Sequence, residues 1–401
     1  MRIEANAGRV HVLQVVSGLA IGEPLGGAEL FGAELVRHLN PDECVPMLCA
    51  FWRRGGPAER YWVERLRSNG IEVFFAADYR GQFSFPAFLR GVQAIGDHLA
   101  GRRVDVIHSH FQVGSVATLL LRRRLGARAI LRTAHITVEW GPSVVGYLCR
   151  QTLTSWLFPY AFDVEAGVSQ AVVDQLDRRP GARIGRRRAV FIPNGIALDR
   201  FEGVAKPTPG EIRQLGLSPD KLTVGSVGRL TGQKGYTYFL EAARTIVAQR
   251  QDVQFVLIGD GDLRDELQAY RDELGLQAHV HFLGARRDVA SLLRSLDLFV
   301  LPSLWEGLPT VIMEAMASGV PVVATDILGT RELVKPGRNG WLVEPKDASG
   351  LADAITAALS DPERRLQMAQ TALRETVPLY SMEAIACQYM GLYRTLLSAR
   401  R

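Results

Sequence analysis

The sequence predicts two doubly wound α/β domains in tandem. Its 401 residues exceed what one hydrophobic core usually supports. Short runs rich in Val, Ile and Leu alternate with amphipathic helical stretches, and the alternation runs through the chain twice. Strands this continuously apolar belong to parallel sheets covered by helices on both faces.

In the first half the strand runs fall at 10–16, 46–51, 71–75, 104–108, 129–133, 164–168 and 190–192, with helical patterns at 28–39, 62–68, 86–100 and 115–125. The first run carries His11 and Gln14, so it reads as a strand and not as the apolar core of a leader. In the second half the runs fall at 223–227, 254–258, 280–282, 298–301, 320–324 and 341–343. The expected domains are 1–190 and 191–378, joined near 186–206. Residues 380–397 read as one helix with Ile385, Tyr389, Leu392 and Leu396 at helical spacing. Within 379–401, that helix is placed to cap the second domain or to cross back to the first.

Composition is that of an ordinary globular protein, 47% hydrophobic and 22% charged. No apolar run reaches the ~18 residues of a membrane span. Cys44, Cys49, Cys149 and Cys387 show no metal-ligand spacing and read as buried thiols of a reducing cytoplasm. Charge is uneven. Residues 1–190 hold 24 Arg, no Lys and 17 acids, a net +7, whereas the remainder holds 23 basic and 25 acidic residues, a net −2. Arginine clusters at 53–54, 102–103, 122–124 and 186–188 lie among Phe51, Trp52, Tyr61, Trp62, Phe83, Phe85 and Phe88. Such a face suits an anionic membrane surface or a lipid diphosphate as well as it suits plain solvation. No nucleic-acid reader motif accompanies it, so nucleic acid is not an expected partner.

Ligands of doubly wound sheets bind beyond the carboxyl ends of the strands. After the first strand, Ser17-Gly18 leads to Gly26-Gly27-Ala28-Glu29, a glycine-rich entry to a helix. His108-Ser109-His110 and His135 close the fourth and fifth strands. No third ligand stands at metal spacing beside these histidines, so no metal is expected. In the second half, Gly228-Arg229 and Lys234-Gly235 place two cations in a glycine-bearing loop, a fit for a diphosphate. Ile258-Gly259-Asp260-Gly261 and Phe282-Leu283-Gly284 follow the next two strands. The full G-x-G-x-x-G of a dinucleotide enzyme is absent, as is the P-loop pattern. The densest signal is Glu306-Gly307-Leu308-Pro309-Thr310-Val311-Ile312-Met313-Glu314, two carboxylates eight residues apart across a turn and a helix start. A helix start favours an anion, and the acids favour hydroxyls. A nucleotide sugar carries both.

Taken in order, these segments, with Pro193-Asn194-Gly195-Ile196, Gly329 to Val334 and Gly340 to Val343, resemble the retaining glycosyltransferases of family 4. The resemblance implies the GT-B architecture, two Rossmann-like domains, over nearly the whole chain. It implies that Arg229 and Lys234 hold the donor diphosphate, aided by the backbone of Thr310, Val311 and Gly27. Glu314 takes the ribose hydroxyls. Glu306, Gly307, Leu308 and His135 meet the transferred sugar, and Gly284 and Arg286 border the base. Catalysis would rest on Glu306, His135, Arg229 and Lys234. The acceptor implied is a glycan or lipid-linked hydroxyl, bound by the first domain, at the inner face of a cytoplasmic membrane or in the cytoplasm. No cofactor or metal is implied beyond the nucleotide-sugar substrate. Departures are Ile136 where Asp is frequent, Ala197 where an acid commonly follows Ile196, and Leu328 in place of the first glycine of a pair. An epimerase or hydrolase on the same fold, or a nucleotide-sugar-binding protein without turnover, is the alternative.

Overall fold

The computed structural model describes residues 8–20, 27–135, 144–185 and 188–399. Gly26, Ile136, Arg186 and Arg187, named above, lie outside the described residues. The chain divides into two compact units, one running to Gly195 and resuming at Met382, the other spanning Ile196–Ser381.

The first unit is built on a seven-stranded sheet of β1 (Val10–Val16), β2 (Cys44–Arg53), β3 (Glu72–Asp78), β4 (Val106–Ser109), β5 (Ala129–Ala134), β6 (Val164–Gly167) and β7 (Val190–Phe191). Their spatial order is β3-β2-β1-β4-β5-β6-β7. The second unit has β8 (Leu222–Val227), β9 (Val253–Ile258), β10 (Val280–Gly284), β11 (Leu298–Leu301), β12 (Val322–Thr325) and β13 (Trp341–Val343), ordered β10-β9-β8-β11-β12-β13. Every pairing is parallel. In each sheet the order reverses beside the first strand, between β1 and β4 and between β8 and β11. That is the switch point at which such sheets bind ligands. β12 begins two residues later than the pattern predicts because Pro321 has no N–H for the ladder; its carbonyl accepts from Phe299 N at 2.9 Å instead.

The surface of the first unit differs from its sequence reading. Phe51, Trp52, Trp62 and Phe88 are buried, and Phe51 stacks on Phe88 with centroids 5.6 Å apart. Tyr61, Phe83 and Phe85 stay exposed. Much of the arginine charge is neutralised locally: Arg102 pairs with Glu72, Arg103 with Asp105, Arg122 with Asp163 and Arg124 with Asp97. Of the four thiols, Cys44 and Cys49 are buried, Cys149 is half-buried and Cys387 is exposed.

A polar seam runs through this unit's core. His110 Nε2 lies 2.6 Å from Gln14 Oε1, and Gln14 Nε2 donates to Tyr393 Oη at 3.0 Å. Tyr393 Oη lies 2.8 Å from His108 Nδ1, and His108 Nε2 lies 2.7 Å from Thr133 Oγ1, which in turn meets Tyr389 Oη at 2.8 Å. One assignment of protons satisfies the series: each neutral imidazole donates from Nε2, and the Tyr393 hydroxyl donates to His108. The terminal helix Met382–Ser398 is thereby bonded to β1, β4 and β5. Its buried stripe is Ile385, Tyr389, Tyr393 and Leu397, at strict four-residue spacing, and not the predicted stripe through Leu392 and Leu396, which are only half-buried. His108 and His110 are therefore consumed by the fold.

Candidate active site

In the second unit the loop after β8 ends in a tight turn, Gly232–Lys234, followed by Gly235 in the left-handed region at φ 63°. A Cβ on Gly235 would sit 2.2 Å from the Pro302 carbonyl oxygen. Both conformation and contact therefore require glycine here. Gly235→Ala should cost at least ~1–2 kcal/mol from the backbone conformation alone and displace Lys234; a thermal melt beside a donor titration reads both effects.

The turn is stapled to the loop after β11. Leu304 N donates to Gln233 O at 2.8 Å, and Gln233 Nε2 donates to Trp305 O at 2.9 Å and Glu306 Oε2 at 3.2 Å. Glu306 Oε1 accepts from Lys234 Nζ at 2.6 Å and from Ser303 Oγ at 2.7 Å. The Lys234 and Glu306 side chains are only 16% and 10% exposed. So the structure brings Glu306 and Lys234 together and adds Gln233 and Ser303, which the sequence reading missed. Both flank a predicted residue, the one before Lys234 and the one three before Glu306, but nothing in their type marks them. Arg229, by contrast, is exposed, and its side chain makes no hydrogen bond or ion pair among the described residues.

The helix Thr310–Ala317 starts without a side-chain cap, since its N-cap is Pro309. The first-turn amides of Thr310 and Val311 are thus left as free donors, with the positive end of the helix dipole behind them. Gly307 and Leu308 lie in the turn before it, Leu308 with its side chain buried. A Cβ on Gly329 would fall 2.3 Å from the Gly307 oxygen, which is why glycine is retained there although Leu328 replaces its neighbour. Glu314 faces Arg200, its Oε1 3.7 Å from the guanidinium. Burial pushes the Glu314 carboxyl above its ordinary pKa, and Arg200 pulls the other way. Arg200, four residues beyond the Ile196 junction, had no local signal.

The loops after β8 and β9 pack backbone to backbone: a Cβ on Gly259 would lie 2.0 Å from the Gly228 oxygen. Gly284, at φ 69°, closes β10 and its carbonyl accepts from Gly259 N at 2.8 Å. Arg286 is held by both oxygens of Asp288, at 2.9 and 2.7 Å.

Two predicted residues belong to the first unit. Gly27 opens the helix Gly27–His38. A Cβ there would meet no atom of the described residues within 4 Å. His135 follows β5 directly, against Phe31 (ring centroids 5.3 Å apart) and His110 (5.8 Å). Burial lowers its pKa to about 4 against the opposing pull of the Asn194 side chain, whose Oδ1 is left, like both ring nitrogens, without a well-formed hydrogen bond among the described residues. No group of three or more His, Cys, Asp or Glu among the described residues is arranged to hold a metal ion.

Family models match both halves of the chain: Glycosyltransferase Family 4 over residues 25–200 and Glycosyl transferases group 1 over 208–388. The D-inositol 3-phosphate glycosyltransferase of Corynebacterium urealyticum is 30% identical over 316 residues, spanning 74% of this chain and 72% of that protein. The chain belongs to this glycosyltransferase family. The UDP-Gal:alpha-D-GlcNAc-diphosphoundecaprenol alpha-1,3-galactosyltransferase of Escherichia coli is 26% identical over 333 residues, covering 79% of this chain and 80% of its own. Among solved structures, Anabaena Alr3699/HepE in complex with UDP and glucose superposes with a TM-score of 0.74 at 23% identity, covering 96% of this chain and 99% of that one. The glycosyltransferase fold thus extends over both units, and the Lys234–Glu306 cluster lies inside the group 1 match.

Proposed function

We propose that this glycosyltransferase moves a hexosyl unit from a UDP- or GDP-linked donor to a hydroxyl of a glycan or lipid-linked acceptor, with retention of anomeric configuration and without a metal. The observation that carries the reading is the pairing of a fixed and a free cation: Lys234 locked to Glu306, and the Arg229 side chain exposed without a partner among the described residues.

In this reading Arg229 supplies a two-pronged contact to the donor diphosphate and Lys234 a point charge. The Thr310 and Val311 amides add backbone donors at the helix start. Breaking the bond between the anomeric carbon and the phosphate oxygen leaves negative charge on the diphosphate, which these groups stabilise. The acceptor oxygen forms the new bond to that carbon, and its proton passes to the departing phosphate oxygen. Glu306 is occupied on both oxygens by Lys234, Ser303 and Gln233. It is thus a fixed negative charge near the oxocarbenium-like sugar, not a mobile base. Glu314 accepts from the ribose hydroxyls, Gly284 and Arg286 flank the base, and Gly307 and Leu308 offer N–H groups to the sugar. His135, neutral and facing Asn194 without a well-formed hydrogen bond among the described residues, is suited to hydrogen bonding a sugar hydroxyl; Gly27 leaves room for close approach of a phosphate to its backbone.

A thermal-shift panel of UDP-, GDP- and ADP-sugars tests the donor class. A matching nucleotide at a hundred times its Kd adds about 2.7 kcal/mol to the folded state and should raise the melting temperature visibly. If no nucleotide sugar shifts the melt, the donor assignment fails. Product analysis by NMR, with and without acceptor, reads the anomer and separates transfer from hydrolysis or epimerisation.

A further inference from the structure

An apolar, cationic patch on the first unit holds none of the residues given a role above. Residues 144–162 and 178–191 contain seven arginines and no aspartate or glutamate. Within the same stretch of chain six large apolar side chains stand in solvent. Tyr147, Leu148, Trp156, Leu157, Tyr160 and Ile184 are each between 44% and 69% exposed.

Trp156, Leu157, Tyr160 and Ile184 stand on segments that pack together. The helix Val144–Cys149 continues through a wider turn, Arg150–Leu157, into Phe158–Ala161. The short helix Pro180–Ile184 lies directly on that segment: a Cβ on Gly181 would be 2.7 Å from the Ser155 carbonyl oxygen and 2.9 Å from that of Trp156. At Gly185 a Cβ would be 2.9 Å from the Tyr160 ring. Arg179, buried, donates to the Thr154 carbonyl at 2.8 Å and pairs with Glu165. The platform is thus bolted from below by a buried ion pair, and its outer face carries the rings. Around it Arg178, Arg183 and Arg188 are exposed. Among the described residues Arg188 alone of these reaches an acid, Asp177, at 3.2 Å.

We infer that this face is a docking surface for an anionic lipid bilayer. Trp and Tyr side chains belong at the headgroup level, where one end of the ring is apolar and the other wet. Exposed arginines beside them would meet acidic headgroups, each adding to partition while salt is low. A protein partner of acidic character would satisfy the charges but not specifically the cluster of Trp, Tyr, Leu and Ile standing clear of the backbone. An interfacial site needs both. The surface stands independently of the transferase reading, since none of its residues has been placed in donor binding.

Vesicle flotation tests it, using the full chain with phosphatidylglycerol-containing and pure phosphatidylcholine vesicles. The expected result is flotation with the anionic vesicles at low salt, lost as salt rises, and none with the neutral ones. The triple variant Trp156→Ser/Tyr160→Ser/Ile184→Ser should lower partition at least tenfold. The double variant Arg178→Gln/Arg183→Gln should lower it roughly fivefold per arginine and flatten the salt dependence. Unchanged melting temperature and unchanged donor binding in both variants separate loss of docking from loss of fold or of the donor site. Absence of flotation with anionic vesicles at low salt overturns the inference, as does flotation of the triple variant equal to that of the wild type. Equal binding to an acidic protein and to vesicles, insensitive to the triple substitution, would reassign the surface to charge alone and likewise overturn it.

Discussion

Arg229→Ala and Lys234→Ala should each lower kcat/KM by roughly a hundred- to a thousandfold, the ~2.7–4 kcal/mol lost when one preorganised donor to a developing oxyanion is removed. The two variants should nevertheless differ in stability. Arg229 is exposed and unpaired among the described residues, so its loss should leave the melt unchanged within ~0.5 kcal/mol. Lys234 is enclosed with Glu306, and its removal leaves a carboxylate with Ser303 and Gln233 as partners but no cation. A cost of about 1–3 kcal/mol follows from stranding a group of that kind. Lys234→Ala/Glu306→Gln should recover much of that stability while remaining inactive. Rates of transfer with the true donor and acceptor, set beside urea denaturation of all three proteins, separate the two effects. Wild-type turnover by Lys234→Ala would remove the cation from the mechanism, and an equally inactive but fully stable Lys234→Ala would mean that the Glu306 contact contributes nothing to the fold.

Lys234 and Glu306, which the structure brings together, were legible because each sits in a local motif. Glu306, Thr310 and Glu314 lie on one β-loop-helix segment, and Arg229 and Lys234 lie on another, so spacing alone gives each side chain its end of a strand. What joins the two segments is not local. The contacts from Gln233 to Trp305 and Glu306 span 72 and 73 residues, and a glutamine before a lysine is unremarkable as text. Arg200 reaches Glu314 across more than a hundred residues. The strands were legible for a related reason: a parallel strand buried on both faces must be apolar nearly throughout, and strands such as β9 and β11 are. The exceptions are instructive. Gln14, His108 and Thr133 are polar residues in central strands, and each looks like a candidate functional group until Tyr389 and Tyr393 arrive from the far end of the chain. For the same reason the aromatic surface of the first unit was misplaced. Phe51 and Trp52 sit beside Arg53 in sequence, but a strand alternates faces and the sheet is covered on both, so adjacency to arginine says nothing about exposure.

That same seam predicts acid lability of the first unit well above the pH at which carboxylates titrate. His108 and His110 are buried, and burial holds both far below their ordinary pKa of 6.5. The unfolded chain takes up a proton at each near pH 6.5, whereas the folded unit does not. Stability is therefore complete above that pH and falls as pH drops below it, by about 1.4 kcal/mol per pH unit for each histidine and roughly 3 kcal/mol for the two. Protonation also removes the acceptor that His108 Nδ1 offers Tyr393, so the loss is directed at the terminal helix. Glu72, with its pKa lowered to about 2 chiefly by Arg102, adds a loss of the same sign, but only below about pH 4.5. The window from pH 6.5 to 5 thus isolates the histidines. Hydrogen exchange of peptides from Met382–Ser398, measured across that window, should show the opening free energy falling with a slope of nearly three protons, because His135, buried in the same unit with its pKa lowered to about 4, behaves alike. His110→Asn should begin less stable at neutral pH and lose about a third of that slope. Tyr393→Phe, which strands the Gln14 amide and His108 Nδ1 together, should cost about 1–3 kcal/mol at neutral pH and keep most of the slope, because the histidines remain buried. A flat profile from pH 7 to 5 in the wild type would mean that water or a proton already reaches the seam, and the neutral tautomers assigned to its two histidines would be wrong.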